Sequence, residues 1–165
     1  MTTEPKLENR AAQPYVGIRR QVTMQEFSPA IDETLPRVFA WLGQHNVPPA
    51  GAPLIRYLVI NMADKLEIDL GVPVATDVAV DDGVSADLLP AGRYASLVYT
   101  GHYSGLMDAN RVLLEWGATQ GLQWDMWTTP RCDAFRARFE SYLTDPRSEP
   151  DASKWQTEVA IRVRD

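Results

Sequence analysis

The chain has 165 residues, of which 45% are apolar and 23% charged, as expected for one folded globular domain. Its 16 basic and 22 acidic residues give a net charge of −6, and no window clusters Lys and Arg, which argues against direct binding to nucleic acid or to an anionic membrane. One cysteine excludes an internal disulfide. The sequence has no membrane-spanning apolar run and no signal-peptide pattern, so we expect a cytoplasmic protein.

The first part of the chain predicts one helix among three strands. Residues 1–13 are polar and aperiodic, and we expect them to form a disordered tail. Pro36 is tolerated best in a first helical turn, which places the helix start near Asp32 rather than at Ser28. A loop at 81–83 closes this half. The predicted elements are a strand at 14–24, a helix ending before 46, and strands at 54–61 and 65–75.

The same order of elements recurs in the second part of the chain. The predicted elements there are a strand at 93–100, a helix at 104–120, and strands at 135–143 and 155–163. This repetition predicts an α+β fold from a duplicated β-α-β-β unit with pseudo-two-fold symmetry, in which both helices lie on one side of antiparallel sheet. We expect a single domain at 14–165, with halves at about 14–80 and 88–165 and a ligand cleft between them.

The predicted strand at 135–143 carries a carboxylate beside a phenol. Strand alternation assigns one set of residues to the helix side, namely Phe135, Ala137, Phe139, Ser141 and Leu143. It directs the other set into the cleft, namely Arg136, Arg138, Glu140 and Tyr142. A carboxylate among aromatic walls suits a cationic aromatic ligand. The alternative, which the residues alone favour, is a solvated Glu140 paired with Arg136 or Arg138.

Other reactive residues give weaker signals. His102 lies in a glycine-spaced turn, and it could serve as base for a Cys132 nucleophile, but an isolated cysteine is more often a small buried hydrophobe. Two histidines and one cysteine, widely separated, give no metal-ligand spacing, and no phosphate-loop or GxSxG pattern is present. We therefore expect neither a metal nor a cofactor. Trp124, Trp127 and Trp155 lie near strand ends and are candidates for cleft walls, with core packing as the alternative.

Five short segments together resemble the GyrI-like (gyrase-inhibitor-like) effector-binding domains. These segments are GAPLIRY at 51–57, LPAGRYA at 89–95, TGHY at 100–103, FESYLTDP at 139–146 and WQT at 155–157. Domains of this family are also attached to bacterial transcription activators of the AraC and MerR types. The resemblance implies a duplicated β-α-β-β fold and a cleft that binds drug-like, aromatic and often cationic compounds.

The resemblance also assigns site residues. Glu140 matches a glutamate buried at the centre of the family's cleft, which reverses the preference for a solvated residue. Tyr103 matches the tyrosine of a Gly-Pro-Tyr turn in which His102 replaces the proline. Tyr142 and Trp155 match positions that line the cleft. Together with Trp127, named above as a candidate cleft wall, the predicted ligand contacts are Glu140, Tyr142, Tyr103, Trp155 and Tyr57.

Three functions follow as hypotheses. Too few residues precede the first predicted strand for a helix-turn-helix, so we expect a stand-alone sensor or scavenger of an aromatic, in some cases cationic, small molecule. The alternative is a hydrolase that opens strained cyclopropane-type genotoxic compounds, with Glu140 as general base and Tyr103 as hydrogen-bond donor to the leaving oxygen. The third is a protein-interaction module, such as an inhibitor of a DNA-handling enzyme.

Overall fold

Two helices lie on one face of a curled antiparallel sheet, a half-barrel. The computed structural model describes residues 1–61, 64–81, 83–130 and 132–165. The helices are α1 (Phe27–Gln44) and α2 (Leu106–Thr119), and a short 3-10 helix, Tyr103–Gly105, leads into α2. In the described residues no helix is both long and apolar enough to cross a membrane. The strands are β1 (Lys6–Arg10), β2 (Gln13–Val22), β3 (Leu54–Ile60), β4 (Leu66–Pro73), β5 (Ser85–Leu89), β6 (Gly92–Thr100), β7 (Met126–Thr128), β8 (Asp133–Phe135), β9 (Arg138–Tyr142) and β10 (Gln156–Arg162).

The strand order confirms the predicted duplication. The strands run β1-β6-β10-β9-β3-β4-β2-β5, so β6-β10-β9 and β2-β4-β3 are one arrangement read from opposite ends of the sheet. Ile55 pairs with Glu140 at the centre of the β3–β9 ladder, and the pseudo-two-fold axis passes between these two residues. Tyr57 and Tyr142, each two residues further along, therefore occupy equivalent positions in the two halves.

Each half also has an additional strand, β1 before β2 and β5 before β6, that pairs with the other half. β1 pairs with β6 and β5 pairs with β2, in matching registers. The structure thus differs from the disordered tail predicted at 1–13, because Lys6–Arg10 is a paired strand. A strand held by backbone hydrogen bonds at a sheet edge needs no apolar alternation, which is why periodicity missed both β1 and β5. Arg10 also donates to both carboxylate oxygens of Glu158 in β10, at 2.9 and 3.0 Å.

The segment predicted as one strand at 135–143 is two strands. β8 ends at Phe135 and β9 begins at Arg138, and the irregular residues between them shift the alternation. Phe135 consequently packs in the core under α2, the same side on which Glu140 contacts that helix. The predicted assignment of faces within β9 is wrong: the Glu140 side is the helix side.

The face away from the helices carries its own cluster of buried side chains. Tyr15, Leu54, Tyr94 and Phe139 are buried in one cluster there. Asp69, only 2% exposed, accepts hydrogen bonds from the side chains of Tyr15 and Arg19 on this face. Glu140 and its hydrogen-bond partner Asn110 lie on the opposite face, which carries the helices.

Helix α1 begins earlier than predicted. It runs from Phe27 and contains Pro36 in its interior. Pro36 is on the exposed side of the helix, so water can solvate the carbonyl that loses its N–H partner. The predicted loop at 81–83 includes Asp82, which lies outside the described residues.

Candidate ligand-binding site

A buried carboxylate lies at the pseudo-two-fold axis, between the helices. Glu140 is 5% exposed, and three hydrogen bonds reach it from described residues. Oε1 accepts from the Tyr57 hydroxyl at 2.8 Å and from the Tyr142 hydroxyl at 2.9 Å. Oε2 accepts from Nδ2 of Asn110, in α2, at 3.0 Å. A carboxylate accepts about four hydrogen bonds, so Oε2 can accept one more, from a ligand.

The two phenols hold the carboxylate symmetrically. Tyr57 and Tyr142 come from equivalent positions of the two halves, and both donate to one oxygen. Burial, with the charge of Glu140 beside it, raises the pKa of both phenols well above the usual value. Both therefore remain donors, and the duplication places one ionisable acceptor between two fixed donors.

Sequence analysis missed Asn110. Its Nδ2 bridges Glu140 and the Leu106 carbonyl, while its Oδ1 accepts from Nη2 of Arg138 at 3.1 Å. Asn110 lies between Ala109 and Leu113 on the buried side of α2. A polar residue within an apolar helical stripe is the signal that could have identified it, because such a residue requires a buried polar partner.

A row of aromatic rings leads from the carboxylate to the surface. The Tyr103 ring lies edge-on to Tyr142, with centroids 5.6 Å apart, and 4.8 Å from Trp155. Trp155 stacks on the exposed His102 at 5.8 Å, and its indole N–H donates to the Glu149 carbonyl at 2.7 Å. On the other side of the carboxylate, Phe27 stacks on Tyr57 at 6.2 Å. These π-faces around a negative charge suit a cationic aromatic ligand.

Two glycines shape the turn that presents Tyr103. Gly101 has a φ of +146°, which strongly favours glycine. A Cβ on Gly105 would lie 2.0 Å from the Tyr99 hydroxyl, which donates to the His102 carbonyl at 2.8 Å. The glycine-spaced joint is thus held by Tyr99 packed against its backbone.

The structure places five of the six predicted contacts in one constellation: Glu140, Tyr57, Tyr142, Tyr103 and Trp155. The sixth, Trp127, lies in β7 with 55% of its surface exposed, and its ring makes none of the contacts described above. Cys132 contacts Thr129, and the imidazole Nδ1 of His102 contacts Ser104. The two residues considered as a nucleophile and its base thus have different partners.

A separate cavity of about 250 Å³ lies on the face away from the helices. Arg10 and Glu158 are its charged lining residues, and they are paired with each other. The other residues that line the cavity are uncharged and include Leu54, Tyr94 and Phe139. Because its charges are already satisfied, we favour the Glu140 constellation as the candidate site.

A family model, the GyrI-like small molecule binding domain, matches residues 3–164. The chain belongs to this family. The match confirms the resemblance drawn from the short segments, and it assigns small-molecule binding to this GyrI-like domain. A search of curated proteins finds no match.

Solved structures share the fold at low sequence identity. The EcmrR C-terminal domain superposes with a TM-score of 0.73 at 15% identity over 98% of this chain and 97% of that one. For EcmrR in its complex with DNA, the TM-score is 0.78 at 16% identity. The match covers 98% of this chain and only 57% of the EcmrR chain. SAV2435 bound to tetraphenylphosphonium gives 0.62 at 14% identity over 98% and 94% of the two chains. A hydrolase from Listeria innocua gives 0.62 at 14% identity over 98% and 92%.

Proposed function

We propose that this GyrI-like domain is a sensor or scavenger of a cationic aromatic small molecule, bound between the two helices with its charge against Glu140. The observation that carries the proposal is a 5%-exposed carboxylate whose neighbouring walls are aromatic rings. The same fold binds the aromatic cation tetraphenylphosphonium in SAV2435, which supports this ligand class.

The expected energetic role of Glu140 is large. With about 6 Å between the two charges and an effective dielectric constant of about 20, Coulomb attraction contributes about 3 kcal/mol. This free energy corresponds to a factor of roughly 100 in affinity. A neutral analogue of the same shape lacks this attraction and should bind correspondingly less tightly.

The test is a calorimetric titration of wild type and Glu140→Gln with tetraphenylphosphonium and with neutral triphenylphosphine oxide. We expect wild type to prefer the cation and Glu140→Gln to lose that preference. Glu115→Gln, on the exposed side of α2, makes the same charge change and should behave as wild type. Urea unfolding of each variant verifies its fold. Equal binding of cation and neutral compound by folded wild type would refute the proposal.

The second candidate is the hydrolase considered from the sequence. The likeness in fold to a Listeria innocua hydrolase supports it, and the Tyr103 hydroxyl makes no hydrogen bond to any described residue, which leaves it available to a leaving oxygen. One acceptor position on Oε2 of Glu140 would orient water. Catalytic turnover of a cyclopropane-type electrophile, abolished in Glu140→Gln and reduced in Tyr103→Phe, would support this activity. Protection limited to one compound per protein would contradict it.

A further inference from the structure

Arg138 is a second charge beside Glu140, and no carboxylate of the described residues forms an ion pair with it. It lies two residues before Glu140 in β9, and Nη2 donates to Oδ1 of Asn110 at 3.1 Å. The same amide donates to Glu140 Oε2 at 3.0 Å. One neutral side chain therefore separates a guanidinium from a carboxylate, and among the described residues no ion pair within 4.0 Å involves Arg138.

Most N–H donors of Arg138 have no partner among the described residues. A guanidinium has several N–H donors in a planar fork, and the bond to Asn110 is the hydrogen bond that Arg138 makes to described residues. Its Cζ lies 4.8 Å above the Phe135 ring, which orients the fork without supplying an acceptor. Arg19 and Arg162, by contrast, donate directly to the carboxylates of Asp69 and Asp125.

The environment of Arg138 disfavours an uncompensated positive charge. Burial lowers the pKa of its guanidinium, with partial compensation from the nearby carboxylates of Glu140 and Asp133. A cation that approaches Glu140 is repelled by Arg138, whereas a ligand acceptor group would meet the free face of the fork. A planar carboxylate fits such a fork by two parallel hydrogen bonds.

We propose that Arg138 is a ligand-contacting specificity residue, and that the preferred ligand is a cationic aromatic compound with a carboxylate beside its charge. This inference rests on the proposed function. Glu140 meets the cationic part, Arg138 the acceptor, and Asn110 keeps the two protein charges apart so that both stay available.

The test uses two fluorescent dyes that differ in one group. Rhodamine 110 carries a free carboxylate beside its cationic ring system, and rhodamine 123 is its methyl ester. Fluorescence anisotropy with wild-type protein should show rhodamine 110 binding about 10-fold more tightly. In Arg138→Met the preference for rhodamine 110 should be lost or reversed, because Glu140 attracts the net positive charge of rhodamine 123, and tetraphenylphosphonium should bind about 3- to 10-fold more tightly because the repulsion is gone. Arg111→Met, an exposed charge change on α2, should keep the wild-type ratio.

Arg138→Lys provides a second variant should the methionine variant fail to fold. It retains the charge and loses the planar fork, so the preference for rhodamine 110 should shrink while tetraphenylphosphonium binding stays near wild type. An unchanged dye ratio in both folded variants, together with Glu140-dependent tetraphenylphosphonium binding, overturns the role of Arg138 alone. Folded wild-type protein that binds neither dye nor tetraphenylphosphonium overturns the proposed function and this inference together.

Discussion

Removal of the two tyrosine hydroxyls at Glu140 tests the central hydrogen-bond network. Tyr57→Phe and Tyr142→Phe each delete one donor, at 2.8 and 2.9 Å, from the same carboxylate oxygen and keep the ring. A hydrogen bond to a buried charged group contributes about 1.5–3 kcal/mol, and Glu140 is only 5% exposed, so little solvent can replace the lost donor. We expect each substitution to lower the free energy of unfolding by about 2 kcal/mol.

The double variant should cost more than the sum of the two. After one substitution the remaining phenol still solvates Oε1, but after both this oxygen has no donor among the described residues. We therefore expect a coupling free energy of about 1 kcal/mol between the two sites. Tyr99→Phe is the matched control, because its hydroxyl donates at 2.8 Å to a neutral, exposed carbonyl and should cost less than about 1 kcal/mol.

Urea unfolding followed by tryptophan fluorescence measures the free energy of unfolding of wild type and the four variants, provided that its dependence on urea concentration is the same in each. Costs below about 0.5 kcal/mol for both single variants, or additivity within about 0.5 kcal/mol, would contradict the structure of this network. In that case Glu140 would be solvated or its phenols displaced, and the carboxylate at the symmetry axis would not be preorganised.

Three further outcomes are expected. The pKa values of Tyr15, Tyr57 and Tyr142 are raised in the folded chain, so the unfolded chain loses these protons first. The free energy of unfolding should therefore fall as pH rises above about 10. Ultraviolet titration at 295 nm should show these phenols ionising only with unfolding. Deletion of residues 1–10 removes the β1–β6 ladder and the pair of Arg10 with Glu158, and should lower the unfolding free energy by at least about 3 kcal/mol, whereas removal of a disordered tail would leave it unchanged. Gly105→Ala places a Cβ 2.0 Å from the Tyr99 hydroxyl and should cost about 1–3 kcal/mol, which a wild-type thermal unfolding midpoint would contradict.

The sequence alone was sufficient to predict the repeated order of strands and helices. Alternation in β2 and β4 and helical spacing in α2 locate strands and helices, because periodic burial is a local property of each element. The polar strand β1 carries no such signal, since its stability comes from hydrogen bonds to β6, which lies far away in the chain. Its existence depends on the partner strand rather than on its own residues.

Some residues of the candidate site could be predicted from the sequence, whereas others depended on tertiary structure. The short segments pointed to Glu140, Tyr57, Tyr103, Tyr142 and Trp155, which the structure brings together. Trp127, predicted from its place near a strand end, lies exposed in β7. The irregular residues between β8 and β9 set which face Glu140 occupies, and this depends on how β8 and β9 each pair with β3. Asn110 reaches both Glu140 and Arg138 only once α2 packs on the sheet. Local periodicity determined the elements, whereas pairing between distant strands and helix packing decided which charges meet.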